Sequence, residues 1–313
     1  MRAVCCALLL TAVLFRLAGS WVSAGRSPQT TQPTQGQAQT PTEATEAFAA
    51  MEYVPVRHAQ LEFSAEDAAL VELANKTDWE IDTAALICEP LRFDLDADGP
   101  LILIVHSHAT EAYTMADGDD YSETSEYRTE DTNFNVVRVG QALTDRLNAL
   151  GIETIHDTTL YDAFGYYDAY ERTETGIAAY LAQYPSIQMV IDVHRDAISD
   201  GEGGQLAMRA ALNGEDCAQL LLVMGTDAGG LYHPNWSENL AFALKLQALC
   251  EKDAAGLFRK MSLRTGRFNQ HMTPHSILLE VGMAGNTLRE ALRSVDFFAQ
   301  ELALLLSEGS ISP

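Results

Sequence analysis

The chain has 313 residues, of which 47% are apolar, enough to bury a sizeable core in one large domain or two smaller ones. It carries 44 acidic and 20 basic residues, and this net charge of −24 argues against nucleic-acid binding, because neutralising phosphates requires a surplus of Lys and Arg. Beyond the first 24 residues the cysteines are Cys88, Cys217 and Cys250, at irregular spacing. That odd number indicates neither a disulfide framework nor a cysteine-based zinc site.

The first 24 residues have the pattern of an export signal. Arg2 precedes an apolar stretch over residues 3–15, and Arg16 follows it. The stretch is shorter than the roughly 20 residues that span a bilayer, so residues 1–24 are predicted to be either a signal peptide or a membrane anchor. Residues 25–49, rich in Thr, Gln, Pro, Ala and Gly, are predicted to be a disordered linker.

The remainder divides into an acidic, intermittently apolar segment at residues 50–98 and a long region in which strand and helix patterns alternate. The first segment is predicted to be an N-terminal extension. Strands are predicted at residues 101–106, 152–155, 187–193, 206–212, 218–224 and 276–281, and helices at 136–150, 173–184, 237–255 and 287–306. Residues 99–313 are therefore predicted to form an α/β domain, with a mixed, largely parallel sheet flanked by helices on both faces.

Polar side chains follow or end three of the apolar strand patterns. His108 and Glu111 come just after residues 101–106, His194 ends the pattern at 187–193, and Glu280 lies in the last strand. Sites in such sheets form outside the carboxyl ends of the strands. Two imidazoles and one carboxylate are a ligand set of hydrolytic zinc, so we interpret His108, Glu111 and His194 as Zn²⁺ ligands. Glu280 is then the catalytic residue, which takes a proton from water and returns it to the leaving amine.

The residue types leave alternatives for two of the three ligands. His106 could replace His108, since only one side of a strand end faces a given site. Glu130 or Asp131, just before the helix that starts near residue 136, could supply the carboxylate in place of Glu111.

Four further residues are candidates for substrate binding or for support of the ligands. Asp196 could accept a hydrogen bond from a ligand imidazole and so orient it. Alternatively, Arg195 and Asp196 form an ion pair that stabilises the loop. Arg267 and Asn269 lie in a polar loop before the last strand, where a guanidinium could bind a substrate carboxylate in bidentate fashion.

Six separated motifs, in the same order, resemble the stage II sporulation protein P family, the peptidoglycan hydrolases of endospore-forming bacteria. They span about residues 101–305. The motifs are His106-Ser-His-Ala-Thr-Glu-Ala-Tyr113, Arg128-Thr with Asn135-Val-Val-Arg-Val-Gly140, Ile191-Asp-Val-His-Arg-Asp196, Gly229-Gly-Leu-Tyr-His-Pro-Asn-Trp236, Arg267-Phe-Asn-Gln270 and Leu278-Leu-Glu-Val-Gly282.

The resemblance implies a zinc-dependent N-acetylmuramoyl-L-alanine amidase with endopeptidase activity, whose fold is like that of zinc amidases and metallocarboxypeptidases. By that comparison residues 99–313 are the catalytic amidase domain, His108 and His194 match metal-binding histidines, and Glu280 matches the catalytic glutamate. Glu111 fits the metallocarboxypeptidase pattern, but the amidases take their glutamate from further along the chain, which keeps Glu130 and Asp131 open.

The resemblance also implies a setting. The family works outside the cytoplasmic membrane, anchored or secreted, where it thins septal peptidoglycan during engulfment of the forespore. Its partners there are sporulation protein D and sporulation protein M. Two other functions fit the same residues: a zinc carboxypeptidase or endopeptidase acting on stem peptides, and a non-catalytic wall-binding module.

Overall fold

The computed structural model describes residues 61–311. A 3₁₀ helix spans Ala65–Leu70, and the α-helices are α1 (Thr83–Leu86), α2 (Val136–Ala149), α3 (Ala169–Gln183), α4 (Trp236–Asp253) and α5 (Leu288–Glu308). The strands are β1 (Leu73–Asn75), β2 (Leu91–Arg92), β3 (Ile102–Val105), β4 (Thr154–His156), β5 (Met189–Asp196), β6 (Arg209–Leu212), β7 (Glu215–Ala218), β8 (Leu220–Met224), β9 (Met261–Leu263), β10 (Ile277–Met283) and β11 (Ser310–Ile311).

Within residues 61–311 the main sheet has seven strands in the order β1-β9-β8-β10-β5-β3-β4. All neighbours run parallel except β8 and β10, which are antiparallel. The predicted α/β architecture with a mixed, largely parallel sheet is therefore confirmed. The carboxyl ends of β3, β5 and β10 lie side by side at one edge of the sheet, where a site is expected.

Alternating side chains of the strands pack on helices at both faces of the sheet. Ile102 and Ile104 of β3 belong to the large core that includes residues of α2, α4 and α5. Leu103 and Val105 of the same strand pack instead with Ile177 of α3, on the opposite face. This two-residue alternation is what an apolar strand buried on both faces produces.

Capping residues define both ends of the helix that follows the first site segment. The Asn135 side chain accepts a hydrogen bond from the backbone N–H of Val137 (3.0 Å) and so caps α2. Gly151, with φ +85°, follows the last turn of this helix, as the sequence predicts. The backbone N–H of Val136 donates to the Glu111 carbonyl oxygen (2.8 Å), and this hydrogen bond holds the start of α2 against the loop that carries His108 and Glu111.

Residues 61–98 contribute to the same sheet and core as the rest of the described chain. β1 pairs with β9 at one edge of the main sheet, and β2 pairs with β11 near the carboxyl terminus. Ile87 and Phe93 are fully buried in the large core. The division at residue 98 stays a prediction, but the part of the extension that is described is built into the α/β domain.

No helix in residues 61–311 is both long and apolar enough to cross a membrane. The predicted signal peptide or anchor at residues 1–24 and the predicted linker at 25–49 lie outside the described residues.

Candidate metal centre and active site

Three buried side chains converge at the carboxyl ends of the adjacent parallel strands β3 and β5. His108 and Glu111 come from the loop after β3, and His194 comes from β5. Their ligand atoms all lie within 4.8 Å of one another. Glu111 Oε2 is 3.3 Å from His194 Nδ1, and Glu111 Oε1 is 3.7 Å from His108 Nδ1. The cluster can hold a metal ion, and its two imidazoles and one carboxylate suit zinc.

A second carboxylate supports His194 from the opposite side of its ring. Asp192 Oδ1 lies 2.9 Å from His194 Nε2, and the Asp192 carboxylate accepts hydrogen bonds from the Ser107 backbone N–H (2.8 Å) and hydroxyl (2.6 Å). Burial lowers the pKa of His194, but Asp192 and Glu111 outweigh burial and hold this pKa well above its usual value. Two buried carboxylates around one imidazole therefore favour positive charge at this position, and a metal ion bound to the neutral ring would supply that charge in place of the ring proton.

Asp192 supports the His194 ring, which is the role predicted for Asp196 from the sequence. Asp196 binds Arg259 instead (2.6 Å) at the end of β5. Residues 192 and 194 share one face of the strand, so the two-residue period places Asp192 beside the ring. A charged residue in the otherwise apolar run of β5 was the signal that could have identified it.

Replacing Asp192 with asparagine is expected to weaken zinc binding about 10- to 100-fold, because outer partners of ligand histidines contribute that much affinity. The measurement is zinc competition against a chromophoric chelator. Asp196→Asn is the matched control, since it removes the same charge from the same strand but from the pair with Arg259. Equal losses in the two variants would count against a specific role for Asp192.

Glu111 is held in its ionised form by a network of donors. The backbone N–H of Arg195 donates to Glu111 Oε2 (3.1 Å), and Arg128 Nη2 donates to Oε1 (3.4 Å). Burial alone raises the pKa of Glu111, but the Arg195 guanidinium and the neighbouring histidines lower it to about 2. An ionised carboxylate is the form that binds a metal.

The Arg195 guanidinium is engaged with the loop that carries the ligands. Its Nε donates to the carbonyl oxygen of Ala112 (2.9 Å), and its Nη2 donates to that of Tyr127 (2.8 Å). The side chain is buried, with Nη1 3.8 Å from Glu111 Oε1. Of the two roles predicted for Arg195, this geometry fits support of the ligands.

His108 sits among aromatic rings. Tyr166 stacks on it with ring centroids 4.2 Å apart, and Tyr170 contacts it edge-on at 5.3 Å. Burial, the largest influence, lowers the pKa of His108 to about 4. The imidazole is therefore neutral near pH 7, as a metal ligand must be. Sequence reasoning missed both tyrosines, because they follow β4 and are remote in the chain from the ligand motifs.

Glu280 lies beside His194 on the neighbouring strand, since the two residues are paired in the parallel register of β10 and β5. The side chain is half-buried, and its Oε2 has no hydrogen-bond partner among the described residues. Burial raises the pKa of Glu280 to about 8, with His194 opposing the shift and Glu111 reinforcing it. A carboxyl group poised near neutral pH beside the cluster is suited to general acid–base chemistry.

The backbone leaves the regular strand immediately after Glu280. The register between β10 and β5 shifts between Glu280 and Met283, and Gly282 has φ +73°. Such bulges next to sites redirect neighbouring side chains. A Cβ at Gly282 would lie 2.7 Å from the Cβ of Ala218, so this position requires glycine.

The variant Gly282→Ala is expected to lose about 2 kcal/mol of unfolding free energy, since positive φ and a steric clash act together. Urea unfolding followed by circular dichroism measures the loss. Gly118→Ala is the control, because Gly118 has φ +96° but open space at the Cβ position. Equal losses of unfolding free energy in the two variants would show that the clash with Ala218 does not contribute.

The alternative ligands lie elsewhere. His106 is buried on the α2 face of the sheet, where its Nδ1 is 2.8 Å from the Val193 carbonyl oxygen and its Nε2 is 2.8 Å from His156 Nε2. Strand alternation places His106 on the opposite face from Val105. Glu130 and Asp131 are exposed, and Asp131 Oδ1 accepts hydrogen bonds from Asn133. None of these three joins the His108–Glu111–His194 cluster.

Arg267 and Asn269 attach their loop to α3. Arg267 Nη2 donates to the Glu174 carboxylate (3.0 and 3.1 Å), and Asn269 Nδ2 donates to the Tyr170 carbonyl oxygen (2.8 Å). Asn269 has φ +57°. The loop thereby contacts the residue that packs beside the cluster, and substrate binding by Arg267 or Asn269 stays a prediction.

Comparison with known proteins identifies the family. The sequence profile of stage II sporulation protein P matches residues 22–303. The stage II sporulation protein P of Bacillus subtilis (strain 168) is 28% identical over 211 residues, 64% of this chain, and the chain spans about half (49%) of that relative.

Two solved structures of amidases match this chain at low TM-score and low identity. An N-acetylmuramoyl-L-alanine amidase from Clostridium difficile 630 matches with a TM-score of 0.40 and 16% identity, over 68% of this chain and 100% of that structure. The amidase Ami1 from Mycobacterium smegmatis matches with a TM-score of 0.40 and 15% identity, over 67% and 97% of the two chains. On the sequence profile, which covers most of its length, the chain belongs to the stage II sporulation protein P family.

Proposed function

We propose that the protein is a zinc-dependent N-acetylmuramoyl-L-alanine amidase, a hydrolase that cuts the amide between the lactyl group of peptidoglycan and L-alanine. The observation that carries the proposal is the buried His108–Glu111–His194 cluster with the Glu280 carboxyl group beside it. Family membership supports peptidoglycan as the substrate and sporulation as the setting.

In the proposed reaction each residue has a separate role. His108, Glu111 and His194 would hold zinc, which would supply Lewis-acid polarisation of the amide carbonyl and would lower the pKa of water. Glu280 accepts a proton from the attacking water and delivers it to the nitrogen of the leaving L-alanine. Asp192 orients the His194 ring, and the Arg195 backbone N–H orients the Glu111 carboxylate. These contacts keep the ligands in place without a rearrangement during turnover.

The cellular setting is part of the proposal. Residues 1–24 would export the protein and either anchor it to the cytoplasmic membrane or be removed, placing the enzyme at the septal or engulfing membrane. Sporulation protein D and sporulation protein M are the proposed partners there. Cleavage of cross-linked stem peptides as an endopeptidase is a proposed second activity of the same site.

Mass spectrometry of muropeptide products tests the function, with bound zinc quantified on the same preparation. Free stem peptides together with lactyl-ended glycans are expected, because only an amidase frees the lactyl carboxyl group. If the stem peptide is cut only internally or at its end, the activity is that of an endopeptidase or a carboxypeptidase and not that of an amidase. Unchanged substrate and no bound zinc would leave a wall-binding module.

A further inference from the structure

A groove continues from Glu280 along the face of the sheet that carries the site. On this face α3 packs against β3 and β5, whereas β8, β9 and β1 line an open groove of about 780 Å³. Its floor is built from alternate residues of those strands, among them Leu221, Val223, Ser262 and Ala74. The groove is therefore continuous with the candidate active site.

Strand register gives the positions of the groove residues relative to Glu280. Glu280 pairs with Leu221, and two residues further along β8 Val223 pairs with Ser262 of β9, which in turn pairs with Ala74 of β1. Arg264 and Lys76 follow Ser262 and Ala74 by two residues and line the same groove.

The sheet geometry fixes the distance of Arg264 from Glu280, and Lys76 lies one strand beyond Arg264. Arg264 is two strands from Glu280, about 10 Å sideways, and four residues along the strand direction, about 13 Å. The direct separation is therefore about 16 Å, which about four or five residues of extended peptide span.

Arg264 and Lys76 form a pair of like charges on neighbouring parallel strands. The Lys76 backbone N–H donates to the Leu263 carbonyl oxygen (2.9 Å), which sets the two side chains next to each other on one face. Like charges at neighbouring sheet positions repel each other, and an anion between these two exposed side chains would relieve that repulsion.

Neither cation has an ion-pair partner within residues 61–311, although the protein has a large acidic surplus. By contrast, Lys260 and Arg259 in the same groove pair with Glu72 and Asp196. Arg264 Nε donates to the Ser262 hydroxyl (2.7 Å), which directs the side chain and leaves the two terminal nitrogens available. A guanidinium held in this way can bind a carboxylate in bidentate fashion.

We propose that Arg264 and Lys76 bind the terminal carboxylate of a stem peptide whose first amide lies at Glu280. The identity of the peptide rests on the proposed function, whereas the anionic end follows from the two cations and their separation from Glu280. The enzyme then prefers stem peptides with a free carboxyl terminus, because a cross-linked or amidated end lacks the charge. Arg264 and Lys76 determine specificity and take no part in the proton transfers.

The test is calorimetric binding of two stem pentapeptides without muramic acid to the full chain, one ending in a carboxylate and one in a carboxamide. The carboxylate form is expected to bind about tenfold more tightly, since charge-assisted hydrogen bonds contribute on that scale. In the double variant Arg264→Gln and Lys76→Gln this preference is expected to disappear, whereas Arg264→Lys alone keeps part of it.

Arg289→Gln is the control, because it removes one exposed positive charge from a different surface, at the start of α5. Equal affinity for the two peptides, or a preference that survives in the double variant, would overturn the proposal. The peptides contain no muramoyl amide, so binding is read independently of hydrolysis. If the protein still prefers the carboxylate peptide but cleaves no muropeptide, the amidase proposal is rejected and the carboxylate-binding subsite stands.

Discussion

Replacing Glu280 with glutamine is expected to lower kcat on muropeptides about 10³-fold or more, while zinc content stays at that of the parent protein. General acid–base residues contribute about 10²- to 10⁴-fold to turnover, and Glu280 is proposed to act twice, on the attacking water and on the leaving amine. Glutamine keeps the size and shape of the side chain but can neither accept nor deliver the proton. Initial rates of stem-peptide release and zinc quantification on the same sample measure the two effects.

Glu153→Gln is the matched control for this experiment. Glu153 is exposed just before β4, at the amino ends of the strands, opposite the edge of the sheet that carries the site. The same chemical change there leaves the cluster untouched, so kcat is expected to change less than about twofold, as for surface substitutions away from a site. Loss of zinc in Glu280→Gln would instead make Glu280 part of the metal site, and an unchanged kcat would remove it from the mechanism.

The surroundings of Glu280 explain why this carboxyl group can serve as base and acid in turn. Burial holds its pKa at about 8, and the negative charge of Glu111 acts in the same direction. A nearby opposite charge favours the ionised form of a carboxyl group. A bound metal ion would therefore shift Glu280 toward the carboxylate, the form that accepts a proton in the proposed reaction, while burial would keep the protonated form accessible for the leaving amine.

The sequence predicts the strands that carry the site because their apolar runs are long and end in polar residues. β5 and β10 were predicted within a few residues of their ends, and the structure brings together the residues that follow or interrupt them. The choice of His108 over His106 depends on where β3 ends. His106 continues the Ile102 and Ile104 face that packs on α2, whereas His108 lies beyond the strand in the loop, and alternation alone does not predict that break.

What the sequence could not predict depends on contacts between remote segments. β9 has three residues and β1 has three, too few for a periodic pattern, so neither was predicted as a strand. The groove exists only because these two strands pair beside β8, and Arg264 becomes a neighbour of Lys76 only through that pairing. The predicted strand at 206–212 is one arm of a hairpin whose turn is Asn213-Gly214, with φ +54° and +81°.

His108→Ala is expected to lose zinc, with a loss of metal-free stability limited to the packing of the ring against Tyr166 and Tyr170. The His108 imidazole is neutral, and Glu111 Oε1 lies 3.7 Å from its Nδ1, beyond hydrogen-bond distance. Removing a residue that holds a metal ligand weakens metal binding by about 10- to 100-fold, and removing the ligand itself should weaken it by more. Activity is then lost with the metal. Chelator competition gives the affinity, and thermal unfolding of the metal-free protein gives the stability.

His106→Asn is expected to retain zinc and to lose stability. His106 is fully buried between the Val193 carbonyl oxygen and His156, and burial lowers its pKa to about 3. Asparagine cannot satisfy both partners, so about 1–3 kcal/mol of unfolding free energy should be lost. Zinc affinity should stay within about tenfold of that of the parent protein. This change is smaller than the roughly 100-fold loss that removing a residue that holds a metal ligand can cause. Loss of zinc in His106→Asn, with zinc retained in His108→Ala, would move the metal to the other face of β3 and reject the cluster as the active site.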